Sequence, residues 1–331
     1  MKYAPIAIPT MCRYKHFVRM IESLKSNSWA KYTDVFIGLD YPPSSIYEQG
    51  YKQICEYLEG DFSEFASFTV IKHEKNLGSF GNMKFLFEMV FSRYDRLIRT
   101  DDDAEFSPNF IEYMDKCLME YEADLDVIAV SGYSYPVEWK VSEGATAFKE
   151  NFICPMWGTG FWKDKLYIIK QELRSGCLQQ TVDWVVNQGI YKRMIKSSQI
   201  EYINLCTPYA LEENLIFSVT DIAMRMYSVI YNKYIILPVE SKVKNWGFDG
   251  SGEFCSISTH YAFNKQLIDM SLSFKLTMDT LCDLETNREV LNKFENVKPQ
   301  NLYKAYIKAF LYRIFGRYAF YYRLFKHNFK C

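Results

Sequence analysis

The sequence has no long apolar run. A helix that spans a bilayer needs about 20 predominantly apolar residues, and no stretch of this chain meets that in both length and apolarity. The opening MKYAPIAIPTMCRYKH is too short in its apolar part for a secretory signal and lacks a small-residue cleavage site. There is no Cys-x-x-Cys pair. The nine cysteines, an odd number, are scattered at Cys12, Cys55, Cys117, Cys154, Cys177, Cys206, Cys255, Cys282 and Cys331. That pattern resembles neither a disulfide framework nor a zinc site, and it points to a reducing, cytosolic compartment. Neither sign of charge dominates: the net charge of −1 gives no case for nucleic-acid binding by the chain as a whole. Internal repeats and low-complexity segments are absent as well.

What remains is a globular chain of 331 residues, 49% apolar, which is enough for one large or two modest domains with a proper core. Aromatic residues reach 17%, a fraction that suits carbohydrate stacking or a membrane interface as well as ordinary core filling. The first hundred residues alternate short apolar runs with amphipathic segments. Strands are expected at 3–8, 34–39, 67–72 and 97–100. Helices are expected at 15–24, 46–58 and 83–91, with a loop at 73–82. Such alternation implies a mainly parallel sheet with crossover helices. Beyond it the pattern predicts a helix at 109–121 and a strand at 127–131, an irregular stretch over 133–153, and a Gly- and Trp-rich turn, CPMWGTGFW, at 154–162. Helices at 163–174, 182–196 and 215–231, a strand at 234–237, and a loop at 243–253 follow; 261–294 shows no clear period.

The chemistry concentrates in YDRLIRTDDDAEFSPN, residues 94–109. A buried strand leads into Asp101, Asp102 and Asp103, which presents the carboxylates at the carboxyl edge of the sheet, where ligands of open α/β folds bind. Like charges this close call for a cation, and hard oxygen donors suit Mg²⁺ or Mn²⁺. A bare triplet of this kind also fits a solvated acidic turn. Asp40 and the 76–82 loop should stand at corresponding strand ends.

The tail, residues 301–331, differs from the rest. It has no acidic residue, seven basic ones (Lys304, Lys308, Arg313, Arg317, Arg323, Lys326 and Lys330) and many large apolar side chains. This is the composition of an interfacial membrane helix, and a helix packed on the core with a solvated basic face is the alternative.

Taken together, PIAIPTMCRYKHFVRMIESL, HEKNLGSFGNMK, RTDDDAEFSPNF, CPMWGTGFWKDKL, FSVTDIAMRM and VKNWGFDGSGE resemble the GT-A fold nucleotide-sugar glycosyltransferases. The resemblance runs from Ala4 to about Ser256. It is nearest to bacterial family-2-like enzymes of surface polysaccharide synthesis, and distant to the N-acetylglucosaminyltransferase that starts complex N-glycans. It implies an α/β GT-A (Rossmann-like) catalytic domain over 1–258, with a nucleotide-binding half at 1–131 and an acceptor half at 132–258, followed by a helical C-terminal extension at 259–331. It also implies a metal-dependent, inverting transfer of a sugar from a nucleoside diphosphate, UDP favoured, to a hydroxyl of a glycan or lipid-linked acceptor. Pro9, Thr10, Arg13, Asp40, Asn76, Gly78, Asp101 and Asp102 would contact the donor nucleotide, and Asp103 would bind Mn²⁺ or Mg²⁺. Trp157, Gly158 and Trp162 would face the donor sugar or acceptor. Lys244, Asn245, Gly247 and Asp249 would belong to a flexible loop that closes over the donor. Asp221, at the start of a helix, would be the base, with Asp183 its rival. The chain departs from the eukaryotic relative in having DDD for its Glu-Asp-Asp triplet and in lacking a luminal anchor and stem. A cytoplasmic enzyme held peripherally at the inner face of the membrane is the implied setting, with no nucleic-acid partner. A sugar-phosphate nucleotidyltransferase is the runner-up, but IPTMCRYKH lacks its Gly-rich basic phosphate loop. A non-catalytic carbohydrate-binding protein is the other.

Overall fold

The computed structural model describes residues 3–151, 153–174, 221–252, 263, 265–279 and 284–294, and six residues of the tail. The expected helix at 182–196 with Asp183, the start of the 215–231 helix before Asp221, and most of the tail lie outside the described residues. Two compact units divide the chain. The first comprises 1–150, 155–166 and 235–281; the second comprises 151–154, 167–234 and 282–331.

The first unit is built on β1 (Ile6–Thr10), β2 (Asp34–Leu39), β3 (Ser67–Lys72) and β4 (Arg96–Arg99), all mutually parallel where they pair. Among the described residues they occupy one side of a nine-stranded sheet, together with β6 (Val127–Ser131), β7 (Ala147–Glu150), β8 (Thr159–Trp162), β9 (Tyr234–Pro238) and β11 (Met278–Asp279), in the order β11-β7-β9-β6-β8-β4-β1-β2-β3. β1 and β2 are almost wholly buried, as continuous apolar runs covered on both faces should be. β3, at the edge, alternates exposed and half-buried positions. The α/β class with a large, partly parallel sheet flanked by helices is therefore what the alternation predicted.

Helix α1 (Tyr14–Lys25) buries Phe17, Met20, Ile21 and Leu24, a single stripe at helical spacing. Each such side chain contributes about 1.5–3 kcal/mol on burial, so the rotation of α1 about its axis is set by this stripe. That rotation places Arg13, the residue before the helix, beside the carboxyl ends of β1 and β4. Helices α2 (Glu48–Tyr57) and α3 (Gly78–Phe91) complete the crossovers, and α4 (Phe110–Glu120) follows the aspartates.

Several segments differ from the sequence expectation. α3 starts inside the expected 73–82 loop. Its Asn82 is buried, donates to the Gly38 carbonyl at 2.7 Å and pairs with His73, so tertiary bonds extend a Gly-containing segment into a helix. The expected turn at 154–162 ends in β8, which runs antiparallel between β4 and β6. Gly160 permits this insertion, since a Cβ there would lie 2.9 Å from the Met114 side chain. The irregular stretch contains β7, paired antiparallel with β9. Two three-residue strands, β5 (Ala104–Phe106) and β10 (Val243–Asn245), form a separate antiparallel pair directly after the aspartates.

Asp115 on α4 accepts the Ala4 N–H at 2.8 Å and so ties α4 to the entry of β1. Its other oxygen is buried without a partner. Burial pushes this carboxyl up to about 7, against the pull of the Ala4 N–H and Arg96. The folded state thus binds a proton that the unfolded chain releases near pH 4, and stability should fall as pH rises from about 4 to about 7. Asp115→Asn keeps the acceptor and cannot ionise. In denaturant unfolding it should raise stability at pH 8 by on the order of 2–4 kcal/mol and have little effect at pH 4; equal effects at the two pH values would contradict this.

Candidate metal and nucleotide site

β1, β2 and β4 run parallel and end together, at Thr10, at Leu39–Asp40, and at Arg99 leading into the triplet. Thr10 Oγ1 donates to Asp102 Oδ2 at 2.8 Å. The Arg13 guanidinium bridges two carboxylates: Nη1 donates to Asp103 Oδ2 at 2.8 Å, and Nη2 donates to Asp102 Oδ1. Burial opposes the charge on Arg13, but Asp102 and Asp103 outweigh it and hold its pKa above the ordinary value. Asp101, partly exposed, pairs with Arg99.

Asp103 is 6% exposed, and its Oδ1 is buried with no hydrogen-bond partner. Burial drives its pKa up to about 7, with Arg13 pulling down and Asp101 and Asp102 pushing up. An uncompensated buried carboxylate oxygen, next to two further aspartates, is the donor set that a hard divalent cation takes. Among the described residues no three His, Cys, Asp or Glu side chains converge into a closed metal cage. A cation here would have one or two protein carboxylates, Asp103 first among them, and other oxygen ligands for the rest of its shell.

A second cluster lies at the end of β2. Asp40, 4% exposed, accepts the N–H groups of Tyr41 and Leu77, and Asn76 Nδ2 donates to it at 3.2 Å and to the Tyr41 carbonyl at 2.7 Å. Asp40 and Asn76, expected at corresponding strand ends, thus meet. Their bonds organise the loop, which enters α3 through Gly78 at φ 72°. Pro9 and Thr10 lie on β1, opposite Gly38 and Leu39.

The β5–β10 pairing delivers the 246–252 segment to the aspartates. The Trp246 N–H donates to the Asp103 carbonyl at 2.8 Å, and Trp246 Nε1 donates to Glu105 at 2.6 Å. The Arg19 guanidinium lies 4.3 Å from the Trp246 ring centre and the Lys244 ammonium 4.2 Å. Asn245 accepts the Gly247 N–H at 2.6 Å. His16 and Asp249 are 2.9 Å apart, and against burial the Ser251 and His16 contacts hold Asp249 down to about 2. Lys244 and Asn245 thus lie on the strand paired with the residues just after the triplet, and Asp249 is tied to His16 of α1. Glu105, His16, Arg19 and Trp246 are additions that the sequence reading missed. The available signal was the three-residue recurrence of Arg13, His16 and Arg19 along one side of α1.

Trp157 is half-buried, with its ring edge-on to Tyr133 at 4.7 Å and to Phe248 at 5.8 Å. Gly158, at φ 64°, packs against Phe110 and Val243 where a Cβ would lie 2.9 Å from each. Trp162 departs from its expected role. It is 2% exposed, donates Nε1–H to the Leu118 carbonyl at 3.0 Å and lies under Lys165, so it is a core residue with no face left for a sugar. Asp221 is the first described residue of α5 (Asp221–Tyr231) in the second unit, 3.8 Å from the buried Arg225 guanidinium. Asp183 is outside the described residues.

Gly247 seals the carboxylates from one side: a Cβ there would stand 2.1 Å from Asp103 Oδ2. Gly247→Ala should cost about 1–3 kcal/mol in denaturant unfolding, and a variant as stable as the parent would show that this contact is not made.

No family model matches the sequence, and no curated protein matches it. Among solved structures the chain is similar to S. aureus TarS 1–349 in complex with UDP, at 14% identity and a TM-score of 0.36 over 56% of this chain and 55% of that one. It is similar to the mannosyltransferase PcManGT from Pyrobaculum calidifontis in complex with GDP-Man and Mn²⁺, at 13% identity and a TM-score of 0.35 over 50% of this chain and 46% of that one. A further S. aureus TarS structure matches at 12% identity and a TM-score of 0.36, over 51% of this chain and 30% of that one. The match thus spans between 30% and 55% of the length of these proteins.

Proposed function

We propose that the protein is a metal-dependent, inverting glycosyltransferase that moves a sugar from a nucleoside-diphosphate sugar, a UDP-sugar by preference, to an acceptor hydroxyl. One juxtaposition supports this above all. The partnerless, buried oxygen of Asp103 lies among Asp101, Asp102, Arg13 and Thr10 at parallel strand ends, with the Asp40–Asn76 pair at the next strand end. Asp40 and Asn76 would meet the base and ribose, as a carboxylate and an amide suit N–H and hydroxyl groups. Asp103, helped by Asp101, would hold Mn²⁺ or Mg²⁺. When bound, the cation supplies Lewis-acid neutralisation of the leaving nucleoside diphosphate. The 244–249 segment, with Trp157 and Gly158, would enclose the donor sugar and keep water from it. On the sequence resemblance alone, Asp221 would be the base that takes the proton of the acceptor hydroxyl. The hydroxyl oxygen then bonds to the anomeric carbon as the bond to the diphosphate breaks.

Asp103→Ala and Asp221→Asn should each lower transfer by about 10²–10⁴-fold, read with a panel of nucleotide sugars in Mn²⁺ beside thermal unfolding of each variant. Full activity in both well-folded variants would remove the assignment.

The tail supports an acceptor carried on a membrane lipid, in bacterial surface polysaccharide assembly at the inner face of the membrane. No helix among the described residues is long and apolar enough to cross a bilayer. Ile307, Phe310, Leu311, Ile314, Phe315 and Tyr318 are helical, recur at the spacing of one helix face, and are 41–84% exposed. The same stretch holds only basic charges, which anionic lipid attracts at about 1 kcal/mol each. The full chain should float with vesicles containing anionic phospholipid, and Phe310→Glu/Phe315→Glu should leave it in the pellet fraction. Equal flotation of the two would refute the tail contact.

A further inference from the structure

Arg13 is bound where the proposed function puts a metal. Both terminal nitrogens of its guanidinium are committed, one to each of Asp102 and Asp103. The second oxygen of Asp102 is taken by Thr10. The second oxygen of Asp103 is buried, and the first faces Gly247 so closely that a Cβ there would overlap it. No oxygen of this pair is therefore both unpartnered and open to solvent. Arg13 therefore holds one oxygen of each aspartate that a divalent cation on this pair would compete for.

We propose that Arg13 is a resident counter-cation that exchanges partners: it neutralises Asp102 and Asp103 while the site lacks nucleotide, and it turns to the nucleoside diphosphate when the divalent cation takes the carboxylates. The inference rests on the metal–nucleotide reading of this site and deepens it. Three observations carry it. Three carboxylates face only two guanidinium groups, Arg13 and Arg99, so the fully ionised triplet has one negative charge left over. Replacing Arg13 by a dication balances the cluster, whereas adding one beside Arg13 puts two cations on the same carboxylate. The backbone of Arg13 is anchored, its carbonyl accepting the Phe17 N–H at 2.9 Å in the first turn of α1, so its side chain can swing about a fixed point. Its side chain is 20% exposed, against 7% and 8% for the two aspartates; the guanidinium is the solvent-side member of the cluster and the first that an arriving ligand meets. A planar guanidinium fork matches a phosphate as well as it matches a carboxylate.

The test is Mn²⁺ binding to the nucleotide-free full-length protein, read from the electron paramagnetic resonance signal of free Mn²⁺, with and without uridine diphosphate. Arg13→Gln should bind Mn²⁺ alone at least about tenfold more tightly, because a charged hydrogen-bonding competitor is gone. The same variant should bind uridine diphosphate with Mn²⁺ at least about tenfold more weakly, because the charged partner of the phosphates is gone. Arg13→Lys, which keeps the charge but cannot bridge two carboxylates, should fall between on both readings, and it decides the matter if the glutamine variant does not fold. Mn²⁺ affinity that is unchanged or lower in the variants would overturn the exchange and leave Arg13 as an organiser of the carboxylates. If the parent protein binds no Mn²⁺ even with uridine diphosphate, the metal reading falls and the exchange falls with it.

Discussion

Three consecutive carboxylates at the end of a buried strand repel one another, and the surroundings of residues 101–103 are arranged against that repulsion. Arg13 spans Asp102 and Asp103, Arg99 holds Asp101, and Thr10 donates to Asp102. Each of these groups comes from an element fixed for other reasons. β1 and β4 are set by parallel pairing, and α1 by the stripe from Phe17 to Leu24. Even so the compensation is incomplete, since one buried oxygen of Asp103 stays without a partner. A fold that buries a carboxylate in this way gives up stability, and a ligand that supplies positive charge recovers it.

The aspartates also explain why distant parts of the first unit converge. Ala104–Phe106 pairs with Val243–Asn245, so the residues after the triplet recruit a segment from far along the chain. That segment then folds over the carboxylates: Trp246 is held by Glu105 and Arg19, and Asp249 by His16. One side of α1 thus serves both the aspartates, through Arg13, and the covering segment, through His16 and Arg19. The half-buried Trp157 beside Phe248 continues the same wall.

Much of this is legible in the sequence. The apolar runs of β1, β2 and β4 and the 3.6-residue period of α1 and α4 are local signals, and they put Thr10, Asp40 and the triplet at strand ends. Asp40 and Asn76, both placed at strand ends by the pattern, are joined by a hydrogen bond. What was hidden depends on contacts between residues far apart in sequence. Three-residue strands such as β5 and β10 have no period to detect. β8 looked like a turn because its Gly160 serves close packing against α4 rather than a bend. Trp162 looked like a sugar platform because a sequence does not distinguish a core tryptophan from an exposed one; its indole N–H is spent on the Leu118 carbonyl. Arg13 was expected to touch nucleotide, but its bridge between two aspartates appears only once β1 and β4 are side by side.

The central claim is that the carboxyl ends of β1, β2 and β4 form one metal–nucleotide site. Anomalous diffraction from crystals grown with Mn²⁺ and uridine diphosphate tests it most directly. A manganese peak bonded to Asp103, with the diphosphate against it and the base beside Asp40 and Asn76, is the predicted result. Manganese or nucleotide bound elsewhere, with the Arg13–Asp102–Asp103 bridge unchanged, would contradict it.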